Sequence, residues 1–151
     1  DHMKPRPFLK ALDHERIVAA IRAAEARSSG EIRVHVSWSR VADAQAAGAR
    51  QFERLGMTRT ERRNGVLLFV APRSQKFAVL GDRGIHEKCG EDFWRRVADA
   101  LATDFRAGRF TDGIVAGVAA AGAELAQHFP PQETNDNELP DAVTTDRAEG
   151  A

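Results

Sequence analysis

Side chains that can supply oxygen ligands occur at three points that border apolar segments of the sequence. Glu31 precedes an alternating apolar segment, Asn64 precedes a continuous one, and Asp82 follows a third. If the first two segments are parallel strands and the third returns antiparallel to the second, these residues lie at one edge of a sheet. Calcium and magnesium prefer carboxylate and amide oxygens, so this edge is a candidate cation site.

The segment after Asp82 adds His86, Glu87, Glu91 and Asp92 to the same neighbourhood. Calcium takes about six to eight oxygen ligands from carboxylates, amides, backbone carbonyls and water, and this group has the appropriate chemistry. A structural interpretation stays open, because acidic residues also stabilise a helix N-terminus and Asn and Asp also shape turns and caps.

A second group consists of His86 and Cys89, which have a spacing found among zinc ligands. Zinc needs four ligands, and the sequence has no second His/Cys pair, so we do not expect a zinc site. A nucleophilic Cys89 with His86 as its base is a further hypothesis. No third, orienting residue is identifiable, which favours an unreactive, half-buried thiol. His35 lies between apolar neighbours of a strand pattern, which indicates a packed core histidine.

The charge balance of the chain argues against nucleic acid as a partner. Lysine and arginine total 22, aspartate and glutamate total 22, and the formal net charge is zero. Such a chain has no overall field that attracts a polyphosphate. The basic cluster of Arg59, Arg62 and Arg63 has neither interleaved aromatic residues nor a glycine-rich phosphate loop, so we interpret it as a solvated connection.

Helix and strand patterns follow one another in the order helix, strand, helix, strand, strand, helix, helix. Apolar residues at helical spacing predict the helices, and alternating or continuous apolar residues predict the strands. The residues between Asp82 and Gly90 are predicted to form a loop. The predicted helices cover residues 13–28, 41–56, 90–107 and 112–129, and the predicted strands cover residues 32–38, 66–71 and 76–80.

These elements predict an α/β fold with a small mixed sheet. A right-handed crossover makes the first two strands parallel. The connection between the second and third strands is too short for a crossover and predicts an antiparallel hairpin. Helices pack over the sheet and bury its apolar residues.

The chain is long enough for one globular domain, which we assign to residues 11–130. Residues 1–10 are interpreted as a tag remnant followed by an N-terminal extension, and residues 131–151 are predicted to be a flexible tail because they contain few apolar residues. The single cysteine cannot form an internal disulfide, and the sequence has no signal-peptide pattern and no apolar run of membrane-spanning length. We therefore expect a cytoplasmic monomer.

Five short motifs occur in an order and at a spacing that resemble the TPM domain family. They are SGEI at residues 29–32, RNGVLLFVA at residues 63–71, KFAVLGDRGI at residues 76–85, FRAGR with a following DG at residues 105–113, and NELPD at residues 137–141. The resemblance covers residues 12–130, and the last motif is similar to the end of a short, soluble bacterial branch.

The resemblance implies a compact three-layer α/β/α sandwich with helices on both faces of the sheet. It also implies a divalent-cation site, usually calcium, at the loop edge of the sheet, and the acid phosphatase activity proposed for a plant thylakoid-lumen member. Carried over position by position, the cation ligands are Glu31, Asp82 and Glu87, with Asn64 beside them.

The chain departs from the family pattern in two respects. Most bacterial members resemble secreted or membrane-tethered proteins, whereas this sequence has neither a signal peptide nor a C-terminal membrane segment. The usual Gly-Tyr-Gly-Leu-Glu after the hairpin reads Gly-Asp-Arg-Gly-Ile-His-Glu at residues 81–87. This change argues against phosphatase activity and leaves a cation site as the first hypothesis.

Two functions follow from these observations. The first is a non-catalytic domain that binds calcium or magnesium through Glu31, Asn64, Asp82 and Glu87 and presents that edge to a protein partner of unknown identity. The alternative is a metal-assisted phosphomonoesterase, an acid phosphatase in which Glu31 or Glu87 is the general base and Arg83 holds the phosphate. This alternative requires Arg83 to point into the cleft.

Overall fold

A computed structural model describes residues 12–131 and 142–146 of the chain. The five α-helices of this part are α1 (His14–Ala26), α2 (Ala44–Arg54), α3 (Arg83–Cys89), α4 (Glu91–Arg106) and α5 (Phe110–His128). Its four β-strands are β1 (Glu31–Ser37), β2 (Gly65–Ala71), β3 (Lys76–Gly81) and β4 (Val143–Asp146). Short 3-10 helices follow α2 and β2 at Met57–Arg59 and Pro72–Ser74. None of the helices in these ranges combines the length and the hydrophobicity that a membrane span requires.

The strands form one mixed sheet in the order β3-β2-β1-β4. β1 and β2 are parallel, with Glu31 opposite Gly65, and β2 and β3 are antiparallel, with Val66 opposite Gly81. This arrangement confirms the predicted parallel crossover and the predicted antiparallel hairpin. The start of β1, the start of β2 and the end of β3 therefore share one edge of the sheet.

Apolar side chains on the two faces of the sheet form two separate cores. α1, α4 and α5 pack on one face, where Val34, Leu68 and Leu101 are fully buried. α2 packs on the other face, against the buried side chains of Phe69 and Leu80. Helices on both faces of the sheet confirm the three-layer α/β/α sandwich.

The residues between Asp82 and Gly90 form helix α3, so the predicted loop at this position is wrong. The carboxylate of Asp82 accepts a hydrogen bond from the backbone N–H of Arg83 at 2.8 Å and caps the helix. Ile85 is fully buried and anchors α3 to the α1/α4/α5 core. A single apolar anchor produces no helical periodicity, which is why the sequence pattern does not reveal this helix.

The C-terminal residues Val143–Asp146 form a strand, although composition predicts a flexible tail over residues 131–151. This strand, β4, is parallel to β1, and the backbone N–H of Val34 donates to the carbonyl oxygen of Ala142 at 3.0 Å. Composition misses β4 because a strand can be held by backbone hydrogen bonds, which do not depend on apolar side chains. The rest of the predicted tail, and residues 1–10, lie outside the described residues.

Deletion of residues 132–151 should destabilise the domain, because it removes β4 and leaves one side of β1 unpaired. We expect the free energy of unfolding to fall by about 2–3 kcal/mol, since a few backbone hydrogen bonds at about 1 kcal/mol each are lost. Urea denaturation measures the difference. A control that lacks only residues 147–151 retains β4 and should unfold like the full chain. Equal urea midpoints for all three chains would contradict a structural role of β4.

Candidate functional site

Three of the four predicted ligand positions lie beside one another where β1 and β2 begin and β3 ends. The backbone N–H of Glu31 donates to the carbonyl oxygen of Asn64 at 3.4 Å, and the N–H of Asp82 donates to the carbonyl oxygen of Gly65 at 3.0 Å. Glu31, Asn64 and Asp82 are all buried. The strand directions therefore bring these positions together as expected, and we call this group of three residues the Asp82 edge.

The carboxylate of Asp82 binds the guanidinium of Arg63. Arg63 Nε donates to Oδ2 at 2.5 Å and Nη2 donates to Oδ1 at 2.8 Å, so the contact is bidentate. The hydrogen bond to Asp82 raises the pKa of Arg63 above its ordinary value. The side chain of Arg63 is 32% exposed and that of Asp82 is 5% exposed. The prediction that Arg63 belongs to a solvated connection is therefore wrong, because the turn before β2 lies beside the end of β3.

A close approach of two backbone segments positions Arg63 for this contact. Arg63 has φ 53°, a left-handed conformation that non-glycine residues seldom adopt. Its carbonyl oxygen accepts a hydrogen bond from the N–H of Gly84 at 2.9 Å, which ties the start of α3 to the turn before β2. A Cβ atom on Gly84 would lie 2.5 Å from the carbonyl oxygen of Arg62 and 2.6 Å from that of Arg63. Glycine at position 84 therefore permits this approach.

A buried arginine that the sequence analysis does not single out engages the carboxylate of Glu31. The guanidinium of Arg33 donates from Nη2 to Glu31 Oε1 at 3.3 Å and from Nη1 to Glu25 Oε2 at 2.6 Å. Glu25 Oε2 also accepts the backbone N–H of Ile32 at 2.8 Å. The alternation in β1 already places Glu31 and Arg33 on one face of the strand. An alternating strand normally exposes its polar face, whereas this one is buried.

The side chain of Asn64 holds the turn that precedes β2. Its Nδ2 donates to Ser29 Oγ at 3.3 Å, and the backbone N–H of Asn64 donates to Thr60 Oγ1 at 3.0 Å. These bonds connect the turn to the residues before β1. They agree with the structural interpretation of Asn64 as a turn residue.

Arg83 and Glu87 lie on α3 with exposed side chains, outside the buried group. The guanidinium of Arg83 makes no hydrogen bond or ion pair with any residue in the two described ranges. The structure thus brings Glu31, Asn64 and Asp82 together, but within the described residues neither the Glu87 side chain nor the Arg83 guanidinium makes a polar contact with them. Glu91 lies in the first turn of α4, where an acidic side chain stabilises the helix.

The donor set of the Asp82 edge suits a hard cation, but arginines now hold its carboxylates. Within residues 12–131 and 142–146, no three or more His, Cys, Asp or Glu side chains are arranged to hold a metal ion. Both oxygens of Asp82 accept hydrogen bonds from Arg63. Because the guanidinium is itself a cation, the carboxylate of Asp82 fits a cationic ligand once the side chain of Arg63 has moved away.

The thiol of Cys89 lies in an environment that disfavours its reactive form. Burial, and to a smaller extent the negative charge of Glu124, raises the pKa of Cys89 to about 11. The thiol is therefore protonated at neutral pH, whereas a nucleophilic cysteine reacts as the thiolate. The ring of His86 packs against Trp94, with 4.8 Å between the ring centroids. These observations favour a half-buried thiol over a nucleophile.

Alkylation of Cys89 by iodoacetamide should be slow at neutral pH and should accelerate as the pH approaches about 11, because the rate follows the thiolate fraction. Mass spectrometry measures the rate, with the urea-unfolded chain as the control. Protonation of this thiol stabilises the folded state below the ordinary pKa of 9.0, and this contribution is lost as the pH rises through about 11. Equal rates for folded and unfolded chains at pH 8 would contradict the raised pKa.

His35 is packed in the interior, as the sequence pattern indicates. It is buried, and its ring stacks on that of Phe69 with 5.8 Å between the centroids. Its Nδ1 lies 2.8 Å from the hydroxyl oxygen of Thr144. His35 therefore joins the central strand β1 to the C-terminal strand β4.

Comparisons with known proteins relate the chain to one family. A family model for the TPM domain matches residues 4–124, and a comparison with curated proteins gave no match. The NMR structure of BA42 protein from the psychrophilic bacterium Bizionia argentinensis is 37% identical, with a TM-score of 0.82 over 89% of this chain and 95% of that chain. The N-terminal domain of a protein from P. gingivalis is 20% identical, with a TM-score of 0.58 over 76% of each chain, and resembles this chain in fold alone. Because the family model matches most of its length, the chain belongs to the TPM domain family.

Proposed function

We propose that this TPM domain is a non-catalytic binding module whose Asp82 edge takes up calcium or magnesium in exchange for the guanidinium of Arg63. The observation that carries the proposal is the bidentate contact between Arg63 and Asp82, in which a buried carboxylate already holds a cationic group. Divalent cations compete with guanidinium for carboxylate oxygens because both are attracted by the same negative charge. Arg63 is the more exposed partner, so its side chain can leave without disturbing either core.

In the proposed bound state Asp82 is the central ligand, and Asn64 and Glu31 are its neighbours along the edge. Glu87 is the predicted fourth ligand and belongs to α3, the helix that Asp82 caps. The cation would supply the positive charge that Arg63 now supplies. The released guanidinium of Arg63, together with the exposed side of α3, would then be available to a protein partner of unknown identity.

A calcium titration of the chelator-treated full chain, followed by amide NMR and calorimetry, tests the exchange. Wild-type protein should show saturable shifts at Asn64 and along α3. The variant Arg63→Gln removes the competing charge and keeps a hydrogen-bond donor, so it should bind calcium about tenfold more tightly. The variant Asp82→Asn should lose binding, and circular dichroism checks its fold because Asp82 also caps α3.

The matched control is Arg59→Gln, which removes an exposed charge from the same basic segment. Its calcium affinity should equal that of the wild type. If Arg63→Gln binds no more tightly than Arg59→Gln, the guanidinium does not compete with the cation. Shifts confined to the C-terminal residues, or no saturable shifts, would exclude a cation site at the Asp82 edge.

The metal-assisted phosphomonoesterase stays a prediction without structural support. It requires Arg83 in a cleft beside Glu31 or Glu87, and the exposed guanidinium of Arg83 makes no polar contact within the described part of the chain. If the protein hydrolyses p-nitrophenyl phosphate in the presence of calcium or magnesium and Arg83→Ala loses this activity, the result would support the alternative. Absence of turnover with both metals would exclude a metal-assisted phosphomonoesterase.

A further inference from the structure

A cavity of about 500 Å³ lies at the sheet edge opposite Asp82, where the β2–β3 hairpin meets α4 and α5. Its volume is in the range of sites that bind small molecules. The walls are mainly apolar and come from both the sheet and the two helices. They include Val70, Ala71, Pro72, Phe77, Phe105 and Phe110.

Three phenylalanine rings form one continuous aromatic wall of this cavity. The rings of Phe77 and Phe105 meet edge to face with 6.0 Å between centroids, and those of Phe105 and Phe110 meet with 5.5 Å between centroids. All three side chains are only partly buried, although each belongs to the margin of the α1/α4/α5 core. A flat apolar ligand in the cavity would remove this aromatic surface from water.

The mouth of the cavity is positively charged. Arg106, in the last turn of α4, lines the cavity with an exposed side chain and makes no hydrogen bond or ion pair with the residues that the structure describes. The neighbouring carboxylate of Asp104 does not compensate the charge of Arg106, because Asp104 Oδ1 lies 2.9 Å from Nη2 of Arg109 and pairs with it. Lys76 also lines the cavity, but its ammonium donates to the carbonyl oxygen of Ala42 at 2.6 Å. The guanidinium of Arg106 is thus the charged group at this mouth that has no partner among the described residues, which leaves it available to an anionic ligand.

From the aromatic wall and the charge of Arg106 we infer that this cavity binds a small aromatic carboxylate. The ring system packs against Phe77, Phe105 and Phe110, and the carboxylate binds the guanidinium of Arg106. A planar guanidinium holds a carboxylate through two parallel hydrogen bonds, which discriminates an acid from a neutral molecule of the same shape. This site is separate from the Asp82 edge and does not depend on a bound metal ion.

Binding of 2-naphthoate to the full chain, followed by amide NMR, tests the inference. Saturable shifts should centre on the hairpin, the end of α4 and the start of α5. The neutral analogue 2-naphthalenemethanol has the same ring system and should bind about tenfold more weakly, because it forms no charge-assisted hydrogen bond with Arg106. No saturable shifts, or shifts away from the cavity, would overturn the assignment.

Two variants distinguish the contribution of the apolar cavity to binding from that of the Arg106 charge. Ala102→Phe fills the cavity and should abolish binding of both probes. Arg106→Gln should weaken the binding of 2-naphthoate about tenfold and leave the affinity for 2-naphthalenemethanol unchanged. Arg95→Gln is the matched control, because Arg95 is exposed on the same helix and pairs with Asp92 outside the cavity. Equal binding of 2-naphthoate to the Arg106 and Arg95 variants would overturn the role of Arg106 and hence the carboxylate specificity.

Discussion

Replacement of Arg33 by alanine should lower the free energy of unfolding by about 3–5 kcal/mol. The guanidinium lies between the carboxylates of Glu25 and Glu31, and only 3% of the Arg33 side chain is exposed. Its removal takes away the positive charge that compensates two carboxylates in a place where water cannot replace it, so the penalty is larger than for a surface ion pair. Urea denaturation of the wild type and the variant measures the change.

The control for this prediction is Arg16→Ala. Arg16 pairs with Asp112 at 3.0 Å, but their side chains are 50% and 45% exposed. Water and salt screen such a pair, so the free energy of unfolding should change by less than about 1 kcal/mol. If Arg33→Ala and Arg16→Ala destabilise the protein equally, burial does not determine the strength of the Arg33 interactions.

Replacement of Gly84 by alanine should destabilise the domain by about 2–3 kcal/mol and should disturb the Asp82 edge. The added Cβ would lie within 2.6 Å of two backbone carbonyl oxygens, those of Arg62 and Arg63, and backbone atoms cannot move aside independently. The start of α3 would therefore shift away from the turn before β2 and weaken the contact between Arg63 and Asp82. Urea denaturation measures the stability, and faster solvent exchange of Arg63 Nε–H reports the weakened contact.

Gly117→Ala is the corresponding control. A Cβ at this position would also be crowded, with Leu101 Cγ at 2.9 Å, but the crowding atom belongs to a side chain and not to the backbone. Alanine also has a higher helix propensity than glycine, which offsets part of the cost within α5. The net loss should therefore be about 1 kcal/mol, which is smaller than that of Gly84→Ala. A loss as large as that of Gly84→Ala would contradict the argument from backbone crowding.

Elements with a repeated pattern of apolar residues could be predicted from the sequence. In α4, Phe93, Val97 and Leu101 recur at every fourth position, and all three are fully buried in the structure. α3 has one such anchor, Ile85, and β4 is a short strand near the C-terminus. Neither carries a periodic signal, because an element held by one side chain or by backbone hydrogen bonds leaves no pattern in composition.

At the candidate site, the meeting of Glu31, Asn64 and Asp82 could be predicted because strand directions alone determine it. The residues that bind the carboxylates of Glu31 and Asp82 could not be predicted from the sequence. Arg63 is next to Asn64 in sequence, so a topology that brings Asn64 to Asp82 also brings an arginine there. Which group Asp82 binds, however, depends on side-chain geometry, and the left-handed turn at Arg63 is what directs the guanidinium to it.

The sequence by itself determined the small mixed α/β sheet with helices packed over it, the direction of its first three strands and the edge at which the acidic residues collect. These properties depend on periodicity and on connection length, which are local. Only the tertiary structure decided that arginines neutralise that edge, that Val143–Asp146 completes the sheet, and that a cavity opens beside Arg106. The physical reason is that charge pairing, strand pairing and cavity shape depend on distances between residues far apart in the chain.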